Sequence, residues 1–178
     1  AVRRWERTCH KSLAVEGAGD QRGVARFFVR IVCVGRRDEA RLILPFTNSV
    51  ERAQRALTGL PIGGKTPLAH ALLLAYRTFQ RARQVDTRAL PLLILLTDGA
   101  GNVPLTEDMP PEEEVTRLAY LLRQAGVHSV VIDAESSGPD GAAHALADAL
   151  GGHYFLATQL RAEGIVEAVS REVESFSD

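Results

Sequence analysis

Lysine is nearly absent from this chain: Lys11 and Lys65 are its two lysines, and arginine supplies the rest of the 21 basic side chains. Set against 22 acidic side chains they leave a formal net charge of -1, so no sequence-wide field draws the chain to nucleic acid or an anionic membrane. Cysteine is equally scarce. Cys9 and Cys33 stand alone, without metal or redox spacing, which argues against a disulfide framework and suits two small buried hydrophobes in a reducing, cytoplasmic setting. No run reaches the roughly 18 to 20 apolar residues of a membrane span, and the charged start is not signal-like. No Gly-x-Ser-x-Gly elbow occurs, which disfavours a serine hydrolase. His10, His70, His128, His144 and His153 share no metal spacing and read as structural or surface groups.

What is present is enough for one substantial core: 178 residues, 46% of them hydrophobic, which is the usual size of a single domain. Trp5, Cys9 and Leu13 recur every four positions and predict a short amphipathic helix, broken by Gly17, Gly19 and Gly23. Residues 24–34 and 40–44 read as two strands of an antiparallel hairpin that Pro45 ends. Asn48 and Glu51 open a helix that runs to Gly59. Thr66 and Pro67 pair an N-cap with a first-turn proline, and Leu68, Leu72, Ala75 and Phe79 mark the buried face of the helix that follows, to about residue 84.

Residues 90–97 are continuously apolar, as a central parallel strand covered on both faces would be, and stop at Asp98 and Gly99. Pro110, Pro111 and Glu112 to Glu114 mark a first helical turn, the glutamates as partners of the helix dipole, and Val115, Leu118, Ala119 and Leu122 face the core. A strand at 127–132, an alanine-rich helix at 142–150, a strand at 153–157 and a terminal helix at 163–176 complete the chain. Helix and strand alternate with short connections, so the fold class is α/β: a mostly parallel sheet with an antiparallel edge hairpin and helices on both faces.

Two loops carry candidate chemistry. Residues 59–67 read GLPIGGKTP, and Gly59, Gly64, Lys65 and Thr66 satisfy the phosphate-loop spacing, with Asp98 as a magnesium-holding acid. That template needs a strand feeding the glycines, and here a helix feeds them. The other reading places two hard oxygen donors, Thr66 and Asp98, on adjacent loops at the carboxyl end of a sheet; this suits Mg²⁺, although two donors are too few to hold it tightly. Asp133, Glu135 and Ser137 form a polar cluster after a strand and read as a turn.

The strings ARLILPFTNSVERA, LPIGGKTPLAHAL, LPLLILLTDGAGNV, GVHSVVIDAE and LADALGGHYF, in this order and spacing, resemble the von Willebrand factor A domain of magnesium chelatase D subunits and cobaltochelatase-type proteins. The resemblance covers residues 40–160, leaving 1–39 poorly matched and 161–178 as a C-terminal helix of the same domain. It implies a Rossmann-like fold with a metal-ion-dependent adhesion site. In that family the site draws on D-x-S-x-S, on a threonine in G-G-x-T-P-L, and on an aspartate in T-D-G; the last two correspond to Thr66 and Asp98. D-x-S-x-S does not occur here. The expectation is therefore that the chain begins after the first, central strand and its metal loop, that intrinsic Mg²⁺ binding is weak or incomplete, and that the strands flanking that position pair directly, leave a gap or borrow a strand.

The resemblance further implies a module without catalysis of its own. It would scaffold an ATP-dependent chelatase between an AAA+ ATPase subunit and a tetrapyrrole-binding subunit. Two alternatives are a nucleotidase using the phosphate loop and a metal-free interaction domain.

Overall fold

The computed structural model describes residues 29–34, 40–47, 55, 66–85, 91–133 and 141–157. β1 (Val29–Val34) and β2 (Ala40–Thr47) form an antiparallel pair. Contrary to the sequence expectation, Pro45 does not end β2. The register moves from Val29 opposite Thr47 to Ile31 opposite Leu44, so Pro45 and Phe46 together face one residue of β1. Such a bulge leaves a residue out of the ladder, which is where a proline without an N–H is tolerated.

Three parallel strands follow: β3 (Leu92–Thr97), β4 (His128–Asp133) and β5 (His153–Leu156), in that spatial order. Leu92 pairs with His128 and Thr97 with Asp133, so β3 and β4 end level. Among the described residues the hairpin and this sheet are separate, and β3 is hydrogen-bonded to β4 alone. Over their described residues the two flanking strands therefore do not pair directly.

Three helices lie in a row: α1 (Leu68–Val85) against α2 (Pro111–Gln124), and α2 against α3 (Ala142–Leu150). Their apolar stripes meet one face of the sheet. Leu68, Leu72, Val115, Ala119, Leu122, Leu146 and Leu150 join Leu93 and Val131 in a single core. Each fully buried leucine contributes roughly 1.5–3 kcal/mol relative to an exposed one. On the opposite face of β3, Ile94 is 45% and Leu96 37% exposed. The segments expected to form helices at 1–16, 48–58 and 163–176 fall outside the described residues, apart from Arg55, which is helical. No described helix is long and apolar enough to cross a membrane.

α3 closes as its sequence predicts, on Gly151 in the left-handed region, with its N–H bonded to the Asp148 carbonyl. α2 starts at Pro111, where a missing N–H costs nothing.

Candidate functional site

Asp98 follows β3 directly, at the carboxyl end of a parallel sheet where crossover loops collect. Its carboxylate oxygen Oδ1 accepts the Ala100 N–H at 2.9 Å, and the Thr97 hydroxyl oxygen accepts the Gly99 N–H at 3.0 Å. Two side chains thus shape the corner from within. Gly99 has φ +80°, and a Cβ there would lie 2.1 Å from the Ala143 nitrogen. Only glycine lets the corner approach the start of α3 so closely.

From Asp98 the loop runs back across the start of α1. Gly101 sits between Leu68 and Val115, where a Cβ would come within 3.1 Å of both side chains. Asn102 then binds Thr66 twice: its Oδ1 accepts the Thr66 N–H at 2.7 Å, and its own N–H donates to the Thr66 carbonyl at 3.2 Å. This reciprocal pair joins the threonine loop to the aspartate loop. The Thr66 carbonyl also accepts the Leu68 N–H at 2.8 Å, in the turn that leads into α1. The Thr66 hydroxyl makes no capping bond among the described residues, and the N-cap position expected for Thr66 is held by Pro67, whose carbonyl accepts the Ala71 N–H at 3.1 Å in the first turn of α1. Neither that hydroxyl nor Asp98 Oδ2 has a hydrogen bond among the described residues, and both residues are half-buried. Two hard oxygens on loops that are tied together fit Mg²⁺ or Mn²⁺ in kind. In number they fall short, and no group of three or more His, Cys, Asp or Glu residues that could hold a metal occurs among the described residues.

Two carboxylates near this end of the fold depart from the sequence expectation. Asp133, read as part of a turn, is the last residue of β4 and fully buried, accepting the Tyr154 O–H at 2.7 Å. The Tyr154 ring meets His144 edge-on at 4.9 Å, and His144 Nδ1 lies 3.4 Å from Asp148. Glu135 and Ser137 lie outside the described residues.

Glu114, read as a dipole partner at the start of α2, turns inward instead and is 5% exposed. Its carboxylate accepts the Leu105 N–H at 2.5 Å, and both the N–H and the O–H of Thr106 at 2.8 Å. Burial by itself would raise this carboxyl's pKa. The hydrogen bonds from Leu105 and Thr106, together with the nearby positive potential of His70, hold it below the ordinary carboxylate value. Gly59, Gly64 and Lys65 of the phosphate-loop alternative lie outside the described residues.

A sheet of parallel strands backed by crossover helices, with hydroxyl and carboxylate loops meeting at its carboxyl end, defines the class, and the family follows from direct comparison. The von Willebrand factor type A domain profile matches residues 8–100, and the chain belongs to that family. It is 39% identical over 144 residues to the magnesium-chelatase 67 kDa subunit of Chlorobaculum parvum, an alignment covering 75% of this chain and 23% of that one. It is 41% identical over 145 residues to the 60 kDa subunit of Cereibacter sphaeroides, covering 80% of this chain and 25% of that one. The chain thus spans about a quarter of the length of these relatives. Among solved structures, an aerotolerance-related membrane protein from Bacteroides fragilis superposes with a TM-score of 0.68 at 15% identity, covering 98% of this chain and 88% of that one. That likeness carries the fold alone.

Proposed function

We propose that this chain is the docking module of an ATP-dependent metal chelatase of tetrapyrrole synthesis, working in the cytoplasm without chemistry of its own. Its partners in this reading are an AAA+ ATPase subunit or module and a tetrapyrrole-binding subunit. The observation that carries the proposal is the Thr66–Asn102 pair, which ties the Thr66 loop to the Asp98 loop and leaves one oxygen of each uncommitted among the described residues.

Thr66 Oγ1 and Asp98 Oδ2 would hold a Mg²⁺ weakly, the remaining positions being filled by water and by oxygens from outside this pair. Bound there, the ion would offer a partner's carboxylate an open, positively charged position. The chain's own part is to keep the two oxygens in register. The Asp98 corner is braced by Thr97 and Gly99, and Thr66 is held by its backbone, so its hydroxyl need not be spent on capping.

Isothermal titration with Mg²⁺ and Mn²⁺ tests this. Weak, saturable heat that disappears in both Thr66→Ala and Asp98→Ala is expected. Heat that survives both substitutions would place the cation elsewhere. Tight stoichiometric binding by the chain alone would contradict the two-oxygen account.

A further inference from the structure

Glu114 is a buried carboxylate to which the cation reading gives no task. Burying such a group is costly unless donors meet it, and here three do, two of them consecutive backbone N–H groups. The side chain therefore holds a point on the loop between β3 and α2, as a ladder partner would hold a strand. The same loop is held a second time, where Asn102 pairs with Thr66. Between the two anchors lie Val103, which is 6% exposed, and Pro104, whose φ is fixed by its ring. Asn102 and Leu105 are three peptide units apart, roughly 10–11 Å at full extension. With Val103 buried and the Pro104 ring fixed, that short segment has little slack, and a shift at Leu105 passes to Asn102. Packing reinforces the connection, since Val115, the neighbour of Glu114 on α2, presses against Gly101.

We propose that Glu114 is a positioning residue for the cation site, fixing through Leu105 and Thr106 where Asn102 and Thr66 stand relative to Asp98. The ion itself is not touched. This rests on the reading of Thr66 and Asp98 as the cation's oxygens, and it adds to them a buried anchor on a different helix.

Glu114→Gln is the discriminating change. It keeps the volume but replaces one acceptor oxygen with an NH₂ that faces a donor. Mn²⁺ affinity of the full chain, read from the free-ion electron paramagnetic resonance signal, is expected to fall several-fold, with the roughly 10- to 100-fold loss of a group bonded directly to a ligand as the upper bound. Asn102→Ala is expected to do the same. Because both act through one loop, the double variant should lose little more than the worse single variant. Leu122→Ala supplies the control for simple destabilisation, because Leu122 is fully buried on the same helix and is not among the loop's anchors. It should lower Tm at least as far as Glu114→Gln while leaving Mn²⁺ affinity unchanged.

The proposal fails if Glu114→Gln binds Mn²⁺ like the wild type, if Leu122→Ala weakens binding equally, or if the Glu114 and Asn102 losses simply add. A wild type that binds no Mn²⁺ overturns the cation reading and this inference together. Binding that is lost in Asp98→Ala yet intact in Glu114→Gln overturns the inference alone.

Discussion

At Glu114 burial and hydrogen bonding push the carboxyl in opposite directions, and the outcome sets a pH dependence. Burial favours the neutral acid, but the Leu105 and Thr106 donors favour the carboxylate more, so the folded pKa lies below its ordinary value of 4.5. Between the folded value and 4.5 the unfolded chain binds more protons at this group than the folded chain. The stability it contributes is therefore complete above 4.5 and is lost as pH falls through the folded value. Urea unfolding of the wild type should show stability climbing with pH over this acid range, and Glu114→Gln should flatten the climb. Equal slopes would assign the dependence to other carboxylates. The inward turn of Glu114 departs from the dipole-partner expectation, and the local signal for it is spacing alone: residues 114, 118 and 122 lie along the stripe that buries Leu122. Asn102 was not legible. Its partner is 36 residues away, and nothing in the local pattern marks an asparagine that holds a distant backbone.

The helices and parallel strands stand where hydrophobic period and run length place them. α1, α2 and α3 each match their apolar stripes, and β3 matches the continuous apolar run. β2 outlasts its proline because a bulge absorbs it, a property of pairing that one strand's sequence does not reveal. The end of α2 depends on another element in the same way. Arg83, in the last turn of α1, donates to the Ala125 carbonyl and, at 3.4 Å, to the Gly126 carbonyl. A cation there meets both unpaired carbonyls and the negative end of the α2 dipole. Arg83→Ala should cost about 1–2 kcal/mol in chemical denaturation, through one lost charged hydrogen bond and its dipole interaction. A change below about 0.5 kcal/mol, the range of an ordinary surface substitution, would mean that water replaces the guanidinium without loss.

For the molecule as a whole, alternation of elements predicts an α/β fold with a parallel sheet, and the family relationship agrees with it. How the hairpin meets that sheet was not legible, since pairing between strands far apart in sequence leaves no local trace. Among the described residues the hairpin and the sheet share no strand pairing, although α1 contacts both hairpin strands and joins the core with the sheet. The candidate site needs no contact between them. It is built by α1, the corner after β3, and the loop that α2 anchors, all within residues 66–114. The central claim, that these pieces make one cation site, is tested most directly by two-dimensional amide NMR of the ¹⁵N-labelled chain during Mn²⁺ addition. Paramagnetic broadening is expected to centre on both Thr66 and the segment from Asp98 to Asn102 and to be abolished by Asp98→Ala. Broadening confined to another surface, or at one of the two loops without the other, would contradict it.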